Sequence, residues 1–253
     1  MIHVFPLKGL PEIREGDDLA RIFFHHFNFE DSDVLILCST IVSKAEGRVA
    51  RLEDFSPSEK AIKIASDLGK DPRFVQAVLN ESEEILLEKP FLLVKAKFGN
   101  VCINAGIDNT NVPENCILLP PENPDESAKK IRDKIRKLTG KSIGVIITDT
   151  NGRCFRRGVT GFAVGISGIN PMKDWRGRKD LYGRVLDITV ECIADEMAGF
   201  ANLLMGEGDY GIPAVVIRGI NVTGKGSMKN IYRDEAEDII RRIIKEWKKG
   251  DSS

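Results

Sequence analysis

Seven short apolar runs set the limits on this chain: VLIL (34–37), FLLVKA (91–96), NVCINA (100–105), CILL (116–119), GVIIT (144–148), FAVGIS (162–167) and AVVIR (214–218). Each has the length of a buried strand, and none approaches the roughly 20 apolar residues of a membrane span. Helical period fills the gaps. Residues 17–27 place Leu19, Ile22, Phe23 and Phe27 on one side. Ser56-Pro57-Ser58-Glu59 reads as a helix start, with Ser56 as the cap and Pro57 at the first helical position. Asn123-Pro124-Asp125-Glu126 repeats that chemistry before SAKKIRDKIRKL. A long apolar helix is expected over about 189–204. The tail, 234–247, is amphipathic, with Ile239, Ile240, Ile243, Ile244 and Trp247 expected to face inward. Strands and helices mix without strict alternation, so the pattern predicts an α+β fold of mixed sheets with flanking helices. No internal repeat or linker divides the 253 residues. They read as one unit, with room for two subdomains of unplaced boundary.

Charge narrows the function. The 37 Lys and Arg residues balance 38 Asp and Glu, which argues against a general nucleic-acid binder. Cys38, Cys102, Cys116, Cys154 and Cys192 are scattered, odd in number and never in a CxxC pair. That pattern argues against a zinc ribbon or a redox dithiol and points to a reducing cytoplasm. The N-terminal MIHVFPLKGLPEIREGDD lacks the apolar core of a signal peptide. No membrane partner is expected.

Two glycine motifs are decoys. GINVTGKG (219–226) is one residue short of a Walker A loop, because Gly226 stands where a hydroxyl must ligate magnesium. It reads as a turn with an exposed lysine. GEGDYG (206–211) spells GxGxxG, but a helix precedes it and a proline and strand follow, the reverse of a dinucleotide site. A loop whose backbone N–H groups approach an anion remains open there. His25 and His26, adjacent on a helix, point about 100° apart and cannot easily share a metal. With His3 they read as structural.

Three acids leave apolar elements among small residues: Asp108 in NAGIDNTN (104–111), Asp149 in TDTNGR (148–153) and Glu207 in MGEGD (205–209). The run 144–148 is expected to end at Thr148, with polar loops over 149–161 and 104–113. Carboxylates brought together repel unless a cation compensates. With hydroxyls nearby they suit Mg²⁺ or Mn²⁺ rather than zinc. Each acid capping its own turn is the alternative, and spacing leaves both readings open. Arg153, Arg156 and Arg157 follow, with forks that suit phosphate or carboxylate oxygens. A nucleoside triphosphate or a phosphorylated substrate fits that set; simple pairing with the acids is the other reading. In KDWRGRKD (173–180), Trp175 amid cations either stacks on a ring or anchors a loop.

FPLKGLPEIREGDDLA, CSTIVSKAEGR, VKAKFGNVCINAGIDNTNV, GVIITDTNGRCFRRGVTGFAVGISG, MKDWRGRKDLYGR and NLLMGEGDYGIPAVVIRG occur in that order across nearly the whole chain. By them the chain resembles the coenzyme F420-0:L-glutamate ligase family, the archaeal γ-glutamyl ligases. The resemblance implies that family's fold as an intertwined homodimer. It implies GTP-dependent attachment of L-glutamate to F420-0, a deazaflavin phospholactate, and then of a further γ-linked glutamate. It implies two divalent ions, Mg²⁺ or Mn²⁺, on Asp108, Asp149, Thr150 and Glu207, with stimulation by K⁺. GTP contacts carry over to Leu10, Pro11, Glu12, Ile13, Ser39, Lys44 and Asn111. They carry over too to the glycine loop of Met205, Gly206, Glu207, Gly208, Asp209, Tyr210, Gly211 and Ile212. Asp209 and Tyr210 have no separate family role, and Tyr210 is bulky for such a loop.

Joining a carboxylate to an amine in water needs activation. The simplest route is phosphoryl transfer to the carboxylate, giving an acyl phosphate, which depends on positioning and charge stabilisation. On that route Asp149, Arg153 and Arg156 carry the chemistry, the arginines holding the substrate's phosphate and carboxylates. A metal-dependent phosphohydrolase is one rival, releasing phosphate without glutamate. A non-catalytic nucleotide- or deazaflavin-binding protein is another, binding without glutamate-dependent GDP formation.

Overall fold

Val34-Leu35-Ile36-Leu37 and Val145-Ile146-Ile147 carry no polar alternation, so both faces of their strands must be covered. A computed structural model describing residues 1–250 shows how. In chain order the elements are β1 (His3–Leu7), α1 (Leu19–His26), β2 (Val34–Cys38), α2 (Ser39–Ala45), β3 (Val49–Arg51), α3 (Glu59–Leu68) and α4 (Pro72–Asn80). Then come β4 (Ser82–Leu87), β5 (Leu93–Ala96), β6 (Val101–Ile103), β7 (Cys116–Leu118), α5 (Pro124–Thr139), β8 (Gly144–Arg153) and β9 (Arg156–Ser167). The last are β10 (Met172–Asp174), β11 (Val190–Cys192), α6 (Ile193–Met205), β12 (Ala214–Arg218) and α7 (Ile239–Gly250). The class is α+β, as the pattern predicts. Two compact units emerge. One joins Met1–Ala45 to Asn123–Ile231; the other joins Glu46–Glu122 to the segment from Tyr232 onward. No described helix is long and apolar enough to cross a membrane.

The first unit holds a five-stranded sheet in the order β1-β12-β2-β8-β9. Only β2 and β8 run parallel. Residues 34–37 and 145–147 are all essentially sealed from solvent. Neighbours along a strand point to opposite faces, so both faces are covered. Helix α5 packs on β8 and β9, and α6 on β9, β8 and β12. A bulge in β9 divides these duties: Ile147 pairs with Gly165, whereas Thr148 pairs with Ala163. Without the extra residue Gly161 and Gly165 would share a face. With it, a Cβ on Gly161 would meet α6 at Ala198 and Asn202, and one on Gly165 would meet α5 at Pro124.

The second unit pairs β3 with β7 and stacks β4-β5-β6 antiparallel. Its core gathers Ile64, Val75, Val78, Leu92, Val94 and Ile117.

Several expectations need correcting. The strand beginning at Gly144 does not stop at Thr148. It runs to Arg153 and returns as β9, so the polar stretch 149–161 is a hairpin, turning at Cys154-Phe155 with Phe155 at φ 63°. From Gly152 to Val159 this hairpin is exposed, which removes any need for apolar residues. Helix α3 is capped by Ser58, whose Oγ accepts the Ala61 N–H at 3.2 Å, so Ser56 and Pro57 lie outside it. Helix α6 starts at Ile193, because Val190–Cys192 pairs with β10. Helix α7 turns little of its apolar side inward: Ile239, Ile240, Ile243 and Trp247 are exposed, and Ile244 is half-buried. Arg241 is buried instead, paired with Glu84 and Glu235, and Lys248 Nζ donates to the Ile85 carbonyl at 2.8 Å. Charge, not apolar burial, holds this helix to its unit.

Candidate active site

Strand register brings most of the expected site to one end of the five-stranded sheet. Leu7 lies opposite Ala214, Ala214 opposite Leu37, and Leu37 opposite Ile147. From this row of four residues the chain leaves in one direction. Beyond Leu7 lie Leu10, Pro11, Glu12 and Ile13; beyond Cys38 come Ser39 and, in the last turn of α2, Lys44. Beyond Ile147 come Asp149 and Thr150, and the loop 205–212 enters β12 from the same end. The end of a parallel strand pair is where open sheets of this kind leave room for ligands. Backbone bonds hold these loops: Gly16 N–H donates to the Ala45 carbonyl at 2.9 Å and Cys38 N–H to the Pro213 carbonyl at 3.0 Å.

Consecutive strand residues project to opposite faces, so Asp149 and Thr150 part company. Thr150 lies opposite Gly161, on the α6 side. Its hydroxyl donates to Glu207 Oε2 at 3.4 Å, and Asn202 Nδ2 donates to Glu207 Oε1 at 3.1 Å. The Asp149 carboxylate accepts the Thr150 N–H at 2.8 Å. Burial, reinforced by the charge of Asp149, pushes the Cys38 thiol above its ordinary range. Asn202 escaped sequence reasoning. The available signal was an amide in the last turn of an apolar helix directly before a glycine loop. Gly206 ends α6 at φ 71°, where a Cβ would stand 2.3 Å from the Tyr210 ring. The bulky Tyr210 thus has its own seat over a bare glycine.

Asp108 and Asn111 belong to the second unit. Asn104, Ala105 and Gly106 all take left-handed backbone conformations just before Asp108, a local strain of the kind that collects at functional loops. Asp108 bridges to Leu118 through its backbone, and its carboxylate accepts from Thr110 N–H at 2.9 Å and Thr110 Oγ1 at 2.6 Å. Arg153 and Arg156 face each other across the hairpin tip and, with Arg157, are exposed. Four residues of strand put Arg153 about 13 Å beyond Asp149. Among the described residues these arginines form no ion pair.

Thr150 and Glu207 of the first unit have the spacing and chemistry of divalent-ion donors. Two oxygens side by side on an octahedral Mg²⁺ stand about 3 Å apart, from bonds of about 2.1 Å. Thr150 Oγ1 and Glu207 Oε2, at 3.4 Å, are close to that spacing, and both are hard donors. Among the described residues no three His, Cys, Asp or Glu side chains stand together as a metal-holding group. The pair here joins an acid to a hydroxyl.

The decoys behave as turns. The loop 219–226 leads into a 3-10 turn, with Gly224 and Gly226 N–H groups donating to the Gly168 and Ile169 carbonyls and Lys225 exposed. Trp175 anchors its loop: its Nε1 donates to Glu191 at 2.7 Å, and Lys173 Nζ lies 3.9 Å from its ring centroid.

Comparison with known proteins gives the family. The family model described as F420-0:Gamma-glutamyl ligase matches residues 9–219. A protein of Archaeoglobus fulgidus named coenzyme F420:L-glutamate ligase is 68% identical over 244 residues, 96% of this chain and 98% of its own. Proteins of the same name from Methanosarcina mazei and Methanocaldococcus jannaschii are 53% and 47% identical, covering 94% and 92% of this chain and 95% and 92% of theirs.

Proposed function

Because the chain belongs to the F420-0:gamma-glutamyl ligase family, we propose that it joins L-glutamate to coenzyme F420-0 at the expense of GTP, and then adds a further γ-linked glutamate. The observation that carries this reading is the shared exit of the loops 10–13, 148–150 and 205–212 from one end of one sheet. That convergence suits a ligand with several anionic groups. The loop of Leu10, Pro11, Glu12 and Ile13, the Ser39 hydroxyl, the Lys44 ammonium, Asn111 and the backbone N–H groups of 205–212 bind GTP. Bare glycines let those N–H groups approach phosphate closely.

Asp108, Asp149, Thr150 and Glu207 would hold two Mg²⁺ or Mn²⁺ ions, which would supply neutralisation of phosphate charge. The F420-0 carboxylate attacks the γ-phosphorus, its bond to the β–γ bridging oxygen breaks, and GDP leaves. The glutamate nitrogen then displaces phosphate from the acyl phosphate, losing its proton as the amide forms. Arg153 and Arg156, exposed on the hairpin, are free to take the substrate's phosphate and carboxylates. Potassium stimulates the reaction, and the protein works in the cytoplasm.

The test is incubation of the full chain with GTP, Mn²⁺, L-glutamate and F420-0, read by mass. The expected product is F420-0 heavier by one and then two glutamyl units, with one GDP formed per addition. Phosphate release that ignores glutamate would replace this reading with hydrolysis.

A further inference from the structure

We propose that Asp195 is a positioning residue that sets Glu207 against Thr150; this rests on the reading that the pair holds a divalent ion. The contact between α6 and β9 is unusually close. Gly161 leaves no room for a Cβ against the Ala198 carbonyl oxygen, at 2.6 Å, and a Cβ on Gly199 would lie in ordinary contact with the Gly161 carbonyl oxygen, at 3.4 Å. The close seam brings the elements together, but Gly161 and Gly199 themselves carry no side chain that would fix how far α6 sits along the strand.

A directional bond does fix it. Asp195 Oδ1, in the first turn of α6, accepts the Ala163 N–H of β9 at 2.9 Å. Ala163 is the residue at the bulge, opposite Thr148 and two residues from the partner of Thr150. From Asp195 to Met205 the helix is unbroken, a rod of about 15 Å. Asn202 and Glu207 ride at its far end. A displacement at Asp195 is therefore delivered to Glu207, while Thr150 stays with the strand. Outer partners that orient metal ligands in this way commonly change metal affinity when they are altered.

Mn²⁺ binding to the full chain, measured by electron paramagnetic resonance of the free ion, tests this independently of turnover. Asp195→Ala removes the acceptor, and Asp195→Glu keeps charge and acceptor while lengthening the link. Each is expected to weaken Mn²⁺ binding by about tenfold or more. Asp195→Asn retains the carbonyl oxygen and is expected to stay within about twofold of the parent, which separates positioning from loss of charge. Asp125→Ala is the structural control. Its carboxylate accepts the Ile166 N–H of the same strand at 2.7 Å and the Met228 N–H at 3.0 Å, away from Thr150. It is expected to lower the melting temperature and leave Mn²⁺ affinity alone. If Glu207→Gln weakens Mn²⁺ binding but folded Asp195→Glu and Asp195→Ala bind like the parent, Asp195 has no such role. If Glu207→Gln itself binds normally, the ion is not at this pair, and both readings fall.

Discussion

Gly161 stands opposite Thr150, and the helix carrying Asn202 lies against it so closely that a methyl group would meet both Ala198 and Asn202 at 2.6 Å. One absent side chain thus lets Thr150 and Glu207 meet, although they are 57 residues apart in sequence. The cysteines show the same dependence on surroundings. Burial pushes the Cys192 thiol up to about 12, and burial with the nearby Asp149 charge raises Cys38. Cys154, at the hairpin tip, is exposed. A thiol of pKa about 12 offers roughly one thiolate in ten thousand at pH 8. Titration of the native protein with a disulfide reagent at pH 8 should therefore show one fast-reacting thiol, removed by Cys154→Ser. A fast phase that survives this substitution would show that one of the sheltered cysteines is reactive.

At the scale of elements, the sheet is tied at its far end by a buried ion pair. Arg218, at the end of β12, donates through Nε and Nη2 to Asp33 at 2.7 and 2.8 Å, and Asp33 is sealed from solvent. The same guanidinium reaches the Asn28 carbonyl and Glu30, and it lies against the rings of both Phe5 and Phe27, which touch each other. Removing Asp33 takes two charge-assisted bonds from a guanidinium that keeps Glu30 and the Asn28 carbonyl and is about one-fifth exposed. Asp33→Ala should lower unfolding stability by about 1.5–3 kcal/mol, measured by urea denaturation. A loss below about 0.5 kcal/mol would mean that the remaining partners and water replace Asp33 fully. The opposite end of the same sheet needs no such tie, because its strands run on into the β8–β9 hairpin and the loops that form the candidate site.

For the whole molecule, large apolar side chains remain uncovered in the single chain: Leu181, Tyr182 and Ile188 beyond β10, and Leu203 on α6, are each more than three-quarters exposed. Exposed apolar side chains of this size mark contact surfaces, and we propose that a second copy of this chain covers them. The protein should sediment as a dimer, and the double substitution Leu181→Asp with Ile188→Asp should shift it to the monomer; a parent that sediments as a monomer would refute the assignment. In the main sheet β2, β12 and the apolar halves of β8 and β9 were legible in advance, since a strand buried on both faces has to be an unbroken apolar run, whereas the edge strand β1, with Leu7 its one buried residue, was not. AVVIR, for example, is β12 to the residue. The Asn123-Pro124 helix start was legible because capping is local chemistry. The outward face of α7 was not, because a buried Arg241 pairing with Glu84 involves a distant strand that helical period cannot register. By itself, then, the sequence determined the apolar strands, the helix cap at Asn123 and the identity of the acids, each set by side chains within a few residues. Only the tertiary structure decided that the polar stretch after Thr148 is a hairpin and that Thr150, not Asp149, turns toward Glu207. Those outcomes depend on a bulge and on glycine contacts between segments far apart in the chain, where one extra residue in a strand exchanges its faces.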